Sequence, residues 1–318
     1  MDIASSIQVV TEDFLITLVS YAKKVTGLEN ICISGGVALN CKANGELILQ
    51  KEIFKKIWIQ PASGDSGTAT GAAFIGWYHY LNKERVIIND SLKEQIYLDP
   101  SFSSEEIKAD LHKYSIQFET KIGKTLCEDV SEYLKNKKIV GWFQGRMEFG
   151  PRALGNRSIL ASPLFEDMKK HVNMRIKKRE GFRPFAPIIL KERAQEWFPD
   201  CKGSRYMLFT YKSSQKEKIP SCIHEDKTAR VQTLDNDDNP LLHQLISKFE
   251  EKTDCPILIN TSFNVRGEPI VSKPLDALRC FFQTDMDVLV LGNHVVLKTK
   301  NTKNIATELT KIQEYEMD

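Results

Sequence analysis

Between Gly145 and Ser158 the chain reads Gly-Arg-Met-Glu-Phe-Gly-Pro-Arg-Ala-Leu-Gly-Asn-Arg-Ser, so Arg146, Arg152 and Arg157 stand among three glycines and a proline. The apolar run Ile139 to Phe143 precedes it directly. Arginine presents a planar fork of donors that pairs two oxygens of a phosphate or carboxylate at once, and glycines let backbone N–H groups approach a bound anion. The stretch reads as an anion-gripping loop. The plainer alternative is a bent turn between two strands carrying solvated charges.

Later segments carry matching chemistry. Arg175 to Pro187 reads Arg-Ile-Lys-Lys-Arg-Glu-Gly-Phe-Arg-Pro-Phe-Ala-Pro, with Arg183 held between Phe182 and Pro184, neighbours that do little for a solvated charge. Lys177, Lys178 and Arg179 also suit a solvated helix end. His224 to Gln232 is a polar stretch with one arginine, Arg230, and Asn260 to Pro269 follows the buried-looking strand Pro256 to Ile259. Amides such as Asn260 and Asn264 at a strand's end orient a small polar group without charging the site; an Asx-type turn is the plainer role.

A second constellation lies upstream, in Ser34-Gly-Gly-Val-Ala-Leu-Asn40 and Ser63-Gly-Asp-Ser-Gly67. Each sets small residues (Gly35, Gly36, Gly64) at the carboxyl end of a strand and opens a helix, an arrangement that suits phosphate. Asp65 repels phosphate unless a cation intervenes, so it is a candidate metal ligand or hydroxyl acceptor, or a plain N-cap. There is no Gly-x-Ser-x-Gly elbow, Walker phosphate loop or His-Glu-x-x-His helix. What remains is an anion-rich reaction run by positioning and electrostatic stabilisation.

The elements that must hold these residues follow from periodicity. Residues 3 to 25 form an amphipathic helix, followed by a strand at Ile31 to Ser34 and a helix from Val37 to Leu49. A strand at Ile57 to Gln60 leads through a turn to a helix at Thr68 to Leu81, capped by Asp65 or Ser66. Beyond a polar linker, Ser103 with Glu106 makes a capping box for a helix to Tyr114, and a second helix spans Thr125 to Lys135. Strands are expected at Ile139 to Phe143, Ser158 to Ala161, Pro187 to Leu190, Tyr206 to Tyr211, Ile257 to Ile259 and Val288 to Leu297, with helices near 167–177, 240–251 and 274–283. The mixture argues for an α/β or α+β fold.

At 318 residues with 42% apolar content the chain suits roughly two domains. Its 44 basic and 42 acidic residues leave a formal charge of +2, so no global field draws it to nucleic acid or anionic lipid. The basic run from Lys169 has only Phe182 and Phe185 nearby for stacking, which speaks against RNA. The seven cysteines lack metal-site spacing and read as reduced thiols. No signal peptide and no uninterrupted apolar run of about 18 residues is present, so no membrane contact and a cytoplasmic location are expected.

Together the segments Ser34 to Gly45, Gln60 to Gly67, Phe149 to Ser158, Phe182 to Pro187, Thr228 to Gln232, Asn260 to Asn264 and Gly267 to Pro269 resemble those of the NodU-type O-carbamoyltransferases, in order and spacing, from about residue 3 to about 297. The resemblance implies an α/β protein. Residues 1–85 would be the latter part of an actin-like (ASKHA) ATPase domain, 86–100 a linker, 101–300 a YrdC-like α/β domain and 301–318 a tail. It implies ATP as co-substrate, carbamoyl phosphate, a carbamoyl adenylate and transfer to the hydroxyl of a small molecule. By motif, Arg152, Lys177, Arg183 and Arg230 would hold carbamoyl phosphate and the nucleotide phosphates, with Arg146, Arg157, Asn260 and Asn264 supporting the pocket. Gly35, Gly36, Asn40 and Gly64 would lie against nucleotide in the other module, and Asp65 would bind a divalent metal, Mg or Fe. Several arginines and a divalent ion suit that chemistry, because a carbamate oxygen attacking the α-phosphate crowds negative charge.

The sequence departs from the family twice. None of its six histidines is followed by another four residues later, so the family's His-x-x-x-His metal pair is missing and Asp65 alone makes a poor metal site. A truncated product, or a partner chain or homo-oligomer that completes the domain, is expected. At Glu225-Asp-Lys227 relatives commonly read Val-Asp-Gly, so Lys227 either strains the turn or adds a charge to the pocket. The competing readings are a threonylcarbamoyl-adenylate synthase-like tRNA-modification enzyme, against which the Phe149 to Arg157 motif speaks, and a non-catalytic subunit completed by a partner.

Overall fold

The computed structural model describes residues 2–45, 53–86 and 96–301. The end of the expected Val37 to Leu49 helix, most of the expected linker and the expected tail lie outside the described residues.

Residues 2–86 begin with helix α1 (Asp2–Thr26). Leu15 and Val19 are its buried residues, and Val19 packs with Phe54 against Ile31 and Ile57. Strands β1 (Asn30–Ile33) and β2 (Lys56–Ile59) pair in parallel, with Asn30 opposite Lys56 and Ile33 opposite Ile59. Helix α2 (Asp65–Phe74) continues as a wider π-type turn to Tyr80. It starts earlier than the capping expectation: Gly64 is the N-cap with no side-chain hydrogen bond, and Asp65 is the first helical residue, at the positive end of the helix dipole. By length and composition α1 is apolar enough to cross a membrane, because only Glu12 and Asp13 interrupt its central part. Its polar residues, spread through the sequence, leave no unbroken apolar run to mark it.

The rest of the described chain builds a mixed sheet. In order come α3 (Ser104–Lys113), β3 (Glu119–Thr120), α4 (Gly123–Lys135), β4 (Val140–Phe143) and β5 (Arg157–Ala161). Helix α5 (Met168–His171) runs on as a π-type turn to Ile176, followed by β6 (Ala186–Leu190), β7 (Thr210–Lys212), β8 (Thr228–Arg230) and β9 (Gln232–Leu234). Then follow α6 (Pro240–Thr253), β10 (Ile257–Ser262), α7 (Pro274–Phe282), β11 (Val288–Leu291) and β12 (His294–Leu297). Eight strands lie in the order β3-β12-β11-β4-β5-β10-β6-β9, while β7 and β8 form a separate antiparallel ribbon. Helices α4 and α6 pack on the sheet through Leu126, Val130 and Leu134 on one and Leu245, Ile246 and Phe249 on the other. Every residue of β4, β5, β6 and β11 is buried, which accounts for the unbroken apolar runs of β4, β6 and β11, while β5 opens on buried Arg157 and Ser158.

Three expectations change. The capping box forms as read, with Ser103 and Glu106 bonding reciprocally. However, Val288 to Leu297 is a hairpin, turned at Gly292 (φ 54°) and Asn293, whose Gly-Asn pair is a two-residue turn signal the sequence reading passed over. Of Tyr206 to Tyr211 only its end pairs, with β8. Residues 96–100, expected as the end of a loose linker, are laid against the arginine loop: Phe149 N–H donates to Ile96 O (2.7 Å), Met147 N–H to Pro100 O (3.1 Å), and Tyr97 is buried.

The two parts touch through an apolar cluster of Ala38, Ile59 and Leu208, a close backbone approach and several polar links. Gly150 (φ 129°) lies so close to Ala62 that an added Cβ would sit 3.2 Å from that residue's own Cβ. Asn44 Nδ2 donates to Leu208 O (3.0 Å), and Lys42 pairs with Asp226 (2.9 Å).

Candidate functional site

A cleft of about 340 Å³ opens where the arginine loop, the segment before β6, the end of β8 and the end of β10 converge. Arg152, Arg179, Arg183 and Arg230 line it, with His224, Asn260, Thr261 and Ser262, and Cys41 comes from the first part of the chain. The half-buried Arg152 and Arg230 each keep a buried Nε with no hydrogen-bond partner among the described residues. Burial, then the neighbouring Arg230 charge, pushes Arg152 down to about 10. Arg179 is partly tied, its Nε donating to Asn173 Oδ1 (2.6 Å) and its guanidinium lying 5.1 Å from the centre of the Phe185 ring. Arg183 is exposed and pairs with Glu180 (3.0 Å).

The loop achieves this in a way the sequence reading did not foresee. Three of its backbone amides are spent within the loop, on buried Glu148. The Glu148 Oε1 accepts from the N–H groups of Leu154 (2.6 Å), Asn156 (2.8 Å) and Arg157 (3.4 Å), and Gly155 N–H donates to Ser158 Oγ (3.1 Å). Burial raises the Glu148 carboxyl above its usual range, against those amide bonds. The one available signal was a lone glutamate inside an otherwise anion-seeking loop. Gly155 (φ 115°) is required where the turn meets α6, since an added Cβ would lie 2.4 Å from Leu242 Cδ2. The guanidinium side chains that line the cleft are therefore carried by a loop clasped from within by Glu148.

Four residues expected in the pocket stand elsewhere. Arg157 is fully buried over the Phe143 ring (3.6 Å) and donates to the carbonyls of Gln144 (2.6 Å), Gly145, Asn156 and Pro100 (3.0 Å), so it staples the loop from beneath. Arg146 donates to the carbonyls of Leu98 and Asp99 outside the cleft. Lys177, assigned a catalytic role by motif, is buried and spends its ammonium on Ser262 O and Oγ (3.0 Å) and on Asn264 O (3.0 Å) and Oδ1 (2.7 Å). Burial pushes it down to about 7. It braces the turn after Asn260, while Asn264 closes that turn through Nδ2 to Glu268 O (2.7 Å).

The glycine loops of the first part do not reach the arginines. Gly35 N–H donates to Ser63 O (2.9 Å), tying the two loops together; Asn40 exchanges hydrogen bonds with Gln8 of α1 (2.9 and 3.2 Å). Gly36 is exposed, and Gly64 caps α2. Asp65 is exposed, and no group of three His, Cys, Asp or Glu side chains suited to a metal exists among the described residues. Those residues do not fit a resident transition metal.

A cluster of arginines with unmatched donors on a mixed α/β scaffold suits the binding of an anion. The family comparisons narrow the class: the model described as Carbamoyltransferase C-terminus matches residues 131–298, and that described as Carbamoyltransferase N-terminus matches residues 1–74. The chain belongs to the NodU-type carbamoyltransferase family, as its motifs suggested. It is 44% identical to an uncharacterized protein of Synechocystis, covering 100% of this chain and 55% of the relative. It is 37% identical to nodulation protein NolO of Bradyrhizobium diazoefficiens, covering 93% and 54%. The chain spans about half the length of these relatives. Among solved structures, full-length HypF in its phosphate- and nucleotide-bound form aligns over 54% of this chain and 25% of its own, with 20% identity and a TM-score of 0.40.

Proposed function

We propose that the arginine cleft activates carbamoyl phosphate with ATP, giving a carbamoyl adenylate whose carbamoyl group passes to the hydroxyl of a small molecule. The observation that carries this reading is the pair Arg152 and Arg230, each with a buried Nε lacking a partner. Two guanidinium groups in one half-buried cleft repel, and a dianion turns that cost into attraction. Carbamoyl phosphate brings such an anion. In the activation step water cleaves carbamoyl phosphate to carbamate and inorganic phosphate, a carbamate oxygen attacks the α-phosphorus of ATP and pyrophosphate leaves, so charge accumulates where the arginines converge. Arg183, on the exposed rim, trades its Glu180 pair for a phosphate oxygen, and Arg179 holds the wall against Phe185. Any divalent ion in this scheme arrives with the ATP phosphates and not on Asp65.

Carbamoyl-phosphate-dependent exchange of labelled pyrophosphate into ATP by the folded chain is the expected result. A folded sample that neither exchanges nor binds ATP or carbamoyl phosphate overturns the reading. Transfer to an acceptor is expected to require more than these residues, because the chain spans about half the length of its relatives.

A further inference from the structure

The cleft is furnished with donors, yet two acceptors in it are left over. The side-chain amide of Asn260 is 1% exposed, and its orientation is dictated by neighbours that can only accept. Gln232 Nε2 donates to Leu154 O (2.9 Å), which turns Gln232 Oε1 toward Asn260. Asn260 Nδ2 then donates to Gln232 Oε1 (2.7 Å) and to Ala153 O (3.2 Å). Its Oδ1 is what remains, buried and without a partner among the described residues.

His224, half-buried in the lining of the same cleft, is also made an acceptor by its neighbours. Lys42 pairs with Asp226 Oδ2 (2.9 Å), and burial notwithstanding, bonds from Thr228 and Lys42 hold the Asp226 carboxyl down at about 2, so it is an acceptor only. The Thr228 hydroxyl gives its single proton to Asp226 Oδ1 (2.7 Å). Toward His224 Nδ1, 3.1 Å away, that hydroxyl can therefore only accept, which puts the ring proton on Nδ1. Burial keeps the ring neutral, with its pKa lowered to about 4. Nε2 is left as a bare lone pair on a residue that lines the cleft. A phosphate oxygen has nothing to offer either atom.

We propose that His224 Nε2 and Asn260 Oδ1 accept the two N–H bonds of the carbamoyl amino group, so that this cleft selects carbamoyl phosphate over acyl phosphates of the same shape. The inference rests on the reading of the cleft as a carbamoyl phosphate site and adds its specificity device. An acyl phosphate with a methyl in place of the amino group would offer no N–H to the buried Asn260 Oδ1 or to the His224 lone pair. Sites built to hydrogen-bond an N–H or O–H reject analogues that lack it far more strongly than sites that only measure size.

The test compares binding of carbamoyl phosphate, acetyl phosphate and inorganic phosphate by calorimetry. The full chain is expected to prefer carbamoyl over acetyl phosphate by on the order of 10²-fold or more. His224→Leu is expected to cut that ratio about tenfold while inorganic phosphate binds as before, and His224→Gln, which can present an amide oxygen, to restore most of it. Equal affinity for carbamoyl and acetyl phosphate in the unaltered chain, or an unchanged ratio in His224→Leu, overturns the inference but leaves the anion cleft intact. Failure to bind any of the three overturns the functional reading instead. Independently of any variant, the 15N chemical shifts of His224 should report the Nδ1–H tautomer; a proton on Nε2 overturns the proposal.

Discussion

Two tryptophans occupy the middle of strands in the two parts of this molecule, and their surroundings could hardly differ more. Trp142 in β4 is 0% exposed, between β5 and β11 in the eight-stranded sheet; Trp58 in β2 is 49% exposed, in a parallel pair with no third strand among the described residues. Parallel strands are ordinarily covered on both faces, and a two-stranded sheet seldom stands by itself. Around β1 and β2 the exposure continues, with Ile7, Phe14 and Tyr21 on α1 and Ile75, Trp77 and Tyr80 beyond α2 facing outward. The second part has closed its core. The first part leaves an apolar face exposed, and every arginine of the cleft lies on the side whose core is sealed.

The sharpest test of that contrast is a pair of identical substitutions. Trp142→Ala empties a sealed core and is expected to cost about 3–5 kcal/mol, whereas Trp58→Ala removes a half-exposed ring and should cost under about 1 kcal/mol. Denaturant unfolding measures both, and similar losses would mean that the two parts are equally well packed. The division should also appear in chemistry. Arg152→Ala or Arg230→Ala is expected to lower carbamoyl-phosphate-dependent pyrophosphate exchange about 10²- to 10³-fold, the scale of losing one charge-stabilising donor. Asp65→Ala in the first part should leave exchange within about twofold. A comparable loss there would return the glycine loops to the activation step.

Buried His224 makes the second part sensitive to acid. Its pKa in the fold is about 4 against an ordinary value of 6.5, so between those values the unfolded chain binds the proton and the folded one does not. Stability present above pH 6.5 is expected to fall as the pH drops toward 4, by up to about 3 kcal/mol. His224→Gln should flatten that part of the profile. An unchanged acid slope would show that the ring is solvated, and with it that the cleft is looser than its arginines imply. Association is the corresponding property of the first part: light scattering is expected to give a mass above the 36.3 kDa of one chain, and Phe14→Glu to lower it. A monodisperse monomer would contradict the exposed face.

What could be read beforehand follows from range. Helix α1, the Ser103–Glu106 box and the buried strands are local patterns in side-chain period or capping, and all were legible. The clustering of Arg152, Arg183, Arg230 and Asn260 was legible as motifs that shared one chemistry, although they lie far apart in sequence. Which arginine faces a ligand was not legible. Arg152 and Arg157 are five positions apart in one loop with the same side chain, and only the sheet decides that Arg157 points under Phe143 toward four carbonyls. Lys177 misled for the same reason, since its four oxygen acceptors come from residues 85 and 87 positions away. Glu148 was passed over because composition suggests a repulsive charge where geometry makes it the clasp of the loop.

Lys227 offers the smallest effect and the finest test of how the two parts are joined. Its φ is 65°, the left-handed region that costs a residue with a Cβ about 1 kcal/mol and glycine nearly nothing. The turn cannot relax away from it, because Lys227 N–H donates to His224 O (3.0 Å) and the next residue, Thr228, is bonded to Asp226, which Lys42 holds from the first part. The side chain is exposed and does not line the cleft, so of the two effects expected from replacing the family's glycine, strain is the one the fold displays and an added pocket charge is not. Lys227→Gly is therefore expected to raise stability by up to about 1 kcal/mol, and Lys227→Ala, which keeps the Cβ, to leave it nearly unchanged. Phosphate affinity should be the same in both. A gain of equal size in the alanine variant would assign the effect to the charge, and with it would place the Lys227 ammonium within reach of the arginines.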